Sequence, residues 1–176
     1  MSNGIFQNKF KRPRIRPART RFDHALDLLV LNLVIVNLVV AIWAYPSLPQ
    51  VIPTSFGSGG QVTATGSKIT ILLLPLGCLV LAAIMRLIQR WPWLANTIVA
   101  ITEENAEIQY RLVNRLLGMS AVIVGVLFLL IESRMIEAAQ NNAGMGQSGF
   151  LAVMFLGLVP WPILLGWYFV QSLRHA

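Results

Sequence analysis

The segment Tyr45–Lys68 reads YPSLPQVIPTSFGSGGQVTATGSK and separates two long apolar runs. Pro46, Pro49 and Pro53 restrict the backbone φ angle and exclude a helix before the glycine-rich centre. After the glycines, the β-forming stretch 61–65 indicates a return strand. The pattern predicts a small β-hairpin-like loop between two helices.

Four apolar blocks account for most of the chain, one before this loop and three after it. Hydrophobic residues make up 56% of the 176 residues and charged residues 12%, whereas soluble domains carry about a quarter of charged residues. A helix needs about 20 mostly apolar residues to cross the hydrocarbon core of a bilayer. We therefore predict an all-α, four-helix polytopic membrane bundle, with helices at about 26–45, 69–88, 107–131 and 150–170.

Basic residues are divided unevenly between the two predicted sides of the membrane. Of the 14 Lys and Arg residues, only Lys68 and Arg134 fall on the side of the 45–68 loop. Because Lys and Arg are enriched in cytoplasmic segments, we expect both termini in the cytoplasm and the loop outside. The basic residues on the predicted cytoplasmic side are Lys9, Lys11, Arg12, Arg14, Arg16, Arg19, Arg21, Arg86, Arg90, Arg111, Arg115 and Arg174.

The N-terminal segment differs in composition from the rest of the chain. Met1–Phe22 holds seven basic residues and no acidic one, with little apolar surface to bury. We predict a disordered basic cytoplasmic tail over residues 1–24 and a four-helix membrane domain over residues 25–176, which contains the loop motif 45–68. The basic residues of the tail are suited to setting the orientation of the first helix in the membrane. The alternative is a contact with anionic lipid or nucleic acid, and the scarcity of aromatic residues makes nucleic acid unexpected.

Polar and small residues within the apolar blocks predict contacts between helices. Asn32 and Asn37 are expected to form interhelical hydrogen bonds, and the alternative is a polar pathway for transport. Ala121 and Gly125 have the four-residue spacing that permits close helix contact, which also offers a face for an oligomer. The lone Cys78 is expected to pack among apolar side chains.

Motifs of common catalytic and metal centres are absent from the sequence. No P-loop, HExxH, GxSxG or paired-cysteine motif occurs. Glu103, Glu104 and Glu107 suit the start of a helix better than a metal site. We therefore expect no enzymatic activity, no catalytic residue, no metal site and no cofactor.

The 45–68 loop contains a spaced motif of LP, IPT, a phenylalanine, a glycine and a closing GSK. It resembles the signature of a bacterial membrane module, domain of unknown function 1648, which occurs in proteins similar to the SdpI toxin-immunity family. Ser55 and Thr63 stand where that family often has His and Asp, and the C-terminal SdpI half has no matching motif in this chain. The motif residues form the candidate site for ligand binding or packing: Leu48, Pro49, Ile52, Pro53, Thr54, Phe56, Gly60, Gly66, Ser67 and Lys68.

The resemblance implies a multi-pass protein of the bacterial cell (inner) membrane. One hypothesis is a sensing or immunity-like protein that meets an extracytoplasmic peptide or ligand through the 45–68 loop. The other is a structural or accessory subunit of a larger membrane complex. The expected partners are the lipid bilayer and a protein or peptide, with no nucleic acid.

Overall fold

The computed structural model describes residues 12–176, and within them four helical segments are long and apolar enough to cross a membrane. A two-stranded antiparallel sheet lies between the first and second of these segments. The predicted fold class is confirmed: the chain is a multi-pass helical membrane protein with a small hairpin. The elements are α1 (Arg21–Ala44), β1 (Val51–Phe56), β2 (Val62–Ser67), α2 (Leu73–Ile88), α3 (Ala106–Asn141), α4 (Gly146–Leu158) and α5 (Pro160–Arg174).

The two ends of the helix bundle differ in their structural elements and in their charged residues. The hairpin end holds β1 and β2, together with the connection between α3 and α4. The basic end holds the start of α1, the end of α2 and the start of α3, where the ion pairs of Arg19, Arg86 and Arg115 lie. The opposite placement of the hairpin and these arginines follows from the antiparallel course of successive helices.

α1 begins at Arg21, earlier than the expected position near residue 26. Thr20 and Asp23 form a capping box, in which the backbone N–H of Thr20 donates to Asp23 Oδ2 at 2.7 Å. A capping box satisfies N–H groups that the first helical turn leaves without partners. Residues 21–24, which the sequence predicts to be part of the disordered tail, therefore form the first turn of the helix.

The remainder of the predicted tail lies partly outside the described residues, which begin at Arg12. Residues 13–20 form neither helix nor strand. The Arg12 guanidinium donates to the carbonyl of Ala95 at 2.8 Å, and the Tyr110 hydroxyl donates to the carbonyl of Pro13 at 2.9 Å. These contacts hold the start of the described chain against the basic end.

α3 ends at Asn141 rather than near residue 131. The sequence after Ile131 is polar, which led to the prediction of a loop. However, Met135, Ile136 and Ala139 lie on one face of the extension and are buried against the hairpin. Asn142, with a left-handed φ of 50°, terminates the helix.

The fourth predicted helix is divided into α4 and α5, which meet at Val159. Pro160 opens α5, where its missing N–H costs little. The two segments together still provide a continuous apolar span over Gly146–Arg174. Prolines in a membrane helix thus produce a local break rather than an interruption of the span.

α3 is the central helix, since it packs against α1, α2, α4, α5 and β1. The Nδ2 of Asn37 donates to the carbonyls of Leu33 and Gly125, at 2.7 and 3.3 Å. A Cβ on Gly125 would lie 3.1 Å from the Leu33 side chain, so the small residue allows α1 and α3 to approach closely. Gly125 thus lies against α1, and Ala121 on the same helix is also buried.

Asn37 therefore forms the expected interhelical hydrogen bond. Asn32, in contrast, lies on an exposed face of α1. One side chain is fully buried and the other is not, so the two amides do not line one polar pathway. The structure gives the transport alternative no support at these positions.

Candidate functional site

The hairpin formed by β1 and β2 contains most of the predicted motif residues. Ile52 pairs with Gly66, and Pro53 pairs with Thr65. The register then shifts between Pro53 and Ser55, which is a β-bulge or similar irregularity. Bulges commonly accompany a proline in a strand because proline cannot donate to the ladder.

Backbone hydrogen bonds explain why Pro53 is tolerated here. The N–H of Lys68 donates to the carbonyl of Gln50 at 3.0 Å, which marks the hydrogen-bonded side of the ladder. Hydrogen-bonded and non-hydrogen-bonded pairs alternate along an antiparallel ladder. Pro53 and Thr65 lie three positions from the Gln50–Lys68 pair and form a non-hydrogen-bonded pair, so the backbone groups of Thr65 point away from β1. Pro53, opposite Thr65, therefore stands at a pair that needs no N–H from it.

The apolar motif residues anchor the hairpin to the helices. Ile52 is fully buried and Leu48 is 4% exposed, while Phe56 is partly buried against the same cluster. We call this cluster the hairpin-end core. Its buried members are Ala44, Leu48, Ile52, Ile71, Met135, Ile136 and Ala139.

The hairpin tip is fixed by its glycines. The N–H of Gly57 donates to the carbonyl of Gln61, and the N–H of Gly60 donates to the carbonyl of Gly57, both at 2.8 Å. Gly60 has a φ of +77°, which favours glycine. A Cβ on Gly60 would also collide with the backbone of Gly146. The tip thus rests directly on the connection between α3 and α4.

Polar contacts hold the base of the hairpin. The Lys68 ammonium lies 4.7 Å from the centre of the Tyr45 ring, a cation–π distance. The Nε2 of Gln140 donates to the hydroxyl of Ser47 at 3.0 Å, which links α3 to the end of α1. These two contacts therefore link the base of the hairpin to the ends of α1 and α3.

Ser67 is a residue type that often caps a helix, but its side chain does not cap the turn that follows. Ser67 precedes a 3₁₀ turn at Lys68–Leu72 and makes no side-chain capping hydrogen bond. Instead, its carbonyl accepts a hydrogen bond from the Thr70 hydroxyl at 2.8 Å. The closing GSK of the motif therefore acts through the backbone of Ser67 and the ring contact of Lys68.

β2 is more exposed than β1. Within the described chain, β2 pairs with β1 alone, and Thr63, Ala64 and Thr65 are exposed. Ser55 of β1 and Thr63 of β2, which differ from what the family resemblance leads one to expect, are both exposed. They are placed where they can meet solvent or a partner rather than the core.

Glu132 is a buried acidic residue that the sequence interpretation missed. It is fully buried, and neither carboxylate oxygen has a hydrogen-bond partner among the described residues. The third apolar block ends at Ile131, so the helix predicted at about 107–131 excludes Glu132. The extension of α3 places it instead inside the bundle, near Cys78 of α2. The four-residue spacing of Glu132 and Ile136 was the available signal, since both fall on one helix face.

Among residues 12–176, no three His, Cys, Asp or Glu side chains lie close enough together to hold a metal ion, and this includes the surroundings of Glu132. Glu107 lies on the first turn of α3 and pairs with Arg111 at 2.6 Å. This i,i+4 pair is the expected helix-start arrangement.

The hairpin and the adjoining parts of α1 and α2 coincide with a match to a known family model. Residues 33–79 carry the domain of unknown function 1648. The DUF1648 segment includes the second half of α1, the whole hairpin and the start of α2. No curated protein and no solved structure matches the chain.

The DUF1648 segment does not complete the site by itself. Met135, Ile136 and Ala139 of α3 cover Leu48 and Ile52 in the hairpin-end core, and all three lie outside residues 33–79. The hairpin is therefore positioned by a helix that the family model does not include.

Proposed function

We propose that this chain is a sensing or immunity-like protein of the bacterial inner membrane, whose hairpin meets an extracytoplasmic peptide. The proposal places both termini in the cytoplasm and the hairpin outside. Its orientation is supported by the concentration of arginines at the basic end, opposite the hairpin, because Lys and Arg favour cytoplasmic loops. The immunity-like role extends the match of residues 33–79 to domain of unknown function 1648.

The observation that carries the proposal is the free edge of β2. β1 is packed on α3, while β2 is exposed over most of its length and pairs with β1 alone among the described residues. An exposed strand edge presents unpaired N–H and C=O groups to a partner. An extended peptide can add to such an edge as a further strand.

The anchoring of β1 makes this edge suitable for recognition. Burial of Ile52 and Leu48 and the contact of Gly60 with the α3–α4 connection fix the hairpin on the bundle. A fixed edge loses little conformational entropy when a peptide binds. The Thr63 hydroxyl, on an exposed residue of β2, can provide a side-chain hydrogen bond for specificity.

A pair of substitutions at Thr65 tests this mode of binding. Thr65→Pro removes a backbone N–H that points away from β1, whereas Thr65→Val retains it and removes only the hydroxyl. Each variant is expressed in a strain that lacks the native gene, and growth is measured in the presence of secreted peptide fractions from competing bacteria. We expect the deletion to sensitise the cells, Val to restore resistance and Pro to fail at equal membrane abundance.

Two outcomes would contradict the proposal. One is a deletion strain with unchanged resistance to every fraction. The other is full protection by Thr65→Pro, which would show that the outward edge of β2 is not used.

An accessory subunit is the second candidate function, and an apolar groove favours it. The groove has a volume of about 680 Å³ and lies between α1, α3 and the α4–α5 break. Leu26, Val122, Phe155 and Ile163 contribute to its almost wholly apolar lining. A transmembrane helix of a larger complex would fit this surface. Loss of co-purification with one complex in Val122→Trp, with peptide resistance unaffected, would support this function over the first.

A further inference from the structure

A second groove, between α1 and α2, leads from the apolar midsection to the basic end. Its volume is about 290 Å³, and its wall is apolar while its mouth is polar. The small side chains of Ala82 and Ala83 leave the space, and Gly118 and Ala121 of α3 form part of its lining. The remaining apolar wall consists of Val30, Leu31, Val34, Leu79 and Met85.

The mouth of this α1–α2 groove is charged. The Asp27 carboxylate lies 2.7 Å from a guanidinium nitrogen of Arg19 and 3.4 Å from one of Arg86. Two arginines thus share one carboxylate, which leaves a net positive charge at the mouth. The Arg86 side chain is 52% exposed.

Arg86 is held in place and still has donors to offer. Its second terminal nitrogen donates to Gln89 Oε1 at 3.0 Å, and Gln89 in turn donates to the carbonyl of Asn114 at 3.1 Å. A guanidinium carries five N–H donors in a planar fork that matches phosphate geometry. Asp27 and Gln89 engage two of its nitrogens, so donors remain for a third acceptor.

We propose that the α1–α2 groove binds an anionic phospholipid, with an acyl chain along Leu31, Val34 and Leu79 and the phosphate at Arg86. The lipid is the occupant that combines an apolar chain with a negative group at the level of the membrane surface. Basic pockets between transmembrane helices are suited to such headgroups. This site is independent of the proposed peptide-binding function, since it lies at the opposite end of the bundle from the hairpin.

The test uses the full chain purified in a mild detergent. Dioleoyl phosphatidylglycerol or dioleoyl phosphatidylcholine is added, and the lipid-bound fraction is measured by native mass spectrometry. We expect phosphatidylglycerol to bind about fivefold more tightly, which is the contribution of one favourable cation near a membrane surface. Arg86→Gln should remove this preference.

Two further variants separate the groove from general attraction to the basic end. Arg174→Gln removes a cation from the last turn of α5 and should leave the preference intact. Ala82→Leu fills the groove and should weaken binding of both lipids, whereas Ala152→Leu on the exposed surface of α4 should not. The thermal unfolding midpoint of each variant verifies that it is folded.

Equal affinity for the two lipids would overturn the proposal, as would an equal loss in Arg86→Gln and Arg174→Gln. Displacement of the lipid by an equimolar amount of inorganic phosphate would also overturn it, because it would identify a phosphate site that does not need the acyl chain.

Discussion

Gly60 at the hairpin tip and Gly146 at the start of α4 approach so closely that a Cβ on Gly60 would collide with the Gly146 carbonyl. The hairpin is therefore not a free extramembrane loop. It contacts the α3–α4 connection at its tip and the hairpin-end core along β1. This contact joins the first and second halves of the chain at one end of the bundle.

Substitution of the tip glycine should release the hairpin. Gly60→Ala combines a left-handed φ of +77° with a backbone collision, and such strain costs about 1–3 kcal/mol of stability. Limited proteolysis of the purified protein should show faster cleavage within the hairpin. Gly59→Ala is the matched control, because its Cβ meets only the flexible end of the Gln61 side chain. Equal protection of both variants would mean that the tip contact contributes nothing.

The buried side chain of Ile52 should contribute more to the free energy of unfolding than the exposed side chain of its neighbour Val51. Ile52→Ala removes a fully buried side chain and should lower the free energy of unfolding by about 2–5 kcal/mol. Val51→Ala, at the neighbouring position with 59% exposure, should change it by less than about 0.5 kcal/mol. Unfolding by a denaturing detergent measures both values, and similar losses in the two variants would contradict the packing described for β1.

Folding should not require the buried carboxyl of Glu132 to be ionised. Glu132→Gln keeps its shape and removes the ability to ionise, so the variant should be at least as stable as the native chain at neutral pH. Glu137→Gln, an exposed member of a pair with Arg134, should have little effect on stability. Thermal unfolding in detergent compares the two. A loss above about 2 kcal/mol in Glu132→Gln would indicate that the carboxylate has a charged partner.

The orientation of the hairpin can be determined with a single engineered thiol. Ser58→Cys, in a chain whose buried Cys78 is replaced by Ala, places an accessible sulfur at the hairpin tip. A membrane-impermeant maleimide added to intact cells should label it, because the proposed orientation places this end outside. Gln89→Cys, at the opposite end, serves as the control and should react only after the cells are opened. Labelling of Gln89→Cys alone would reverse the orientation.

Several features could be predicted from local sequence because their causes are local. Apolar blocks of about 20 residues specify membrane helices, since a helix satisfies its own backbone hydrogen bonds in lipid. The prolines and glycines of Tyr45–Lys68 specified a hairpin for similarly local reasons. The Glu107–Arg111 pair and the family match of residues 33–79 were likewise visible in short stretches of sequence.

The boundaries of α3 and the role of the motif required the tertiary structure. The polar stretch after Ile131 has no apolar block to mark it as helix, and its buried face exists only because the hairpin covers Met135 and Ile136. Likewise, local sequence does not show that Ile52 and Leu48 are buried against α3, because the residues that cover them are distant in the chain.

Four membrane-spanning stretches and a proline-bracketed hairpin follow from the amino-acid sequence alone, because both depend on the backbone and on residues adjacent in the chain. The tertiary structure decided which face of that hairpin is buried, where Glu132 lies and how the tip meets α4. These features depend on contacts between residues 33–79 and α3, which are separated by dozens of positions, and no local pattern specifies such contacts.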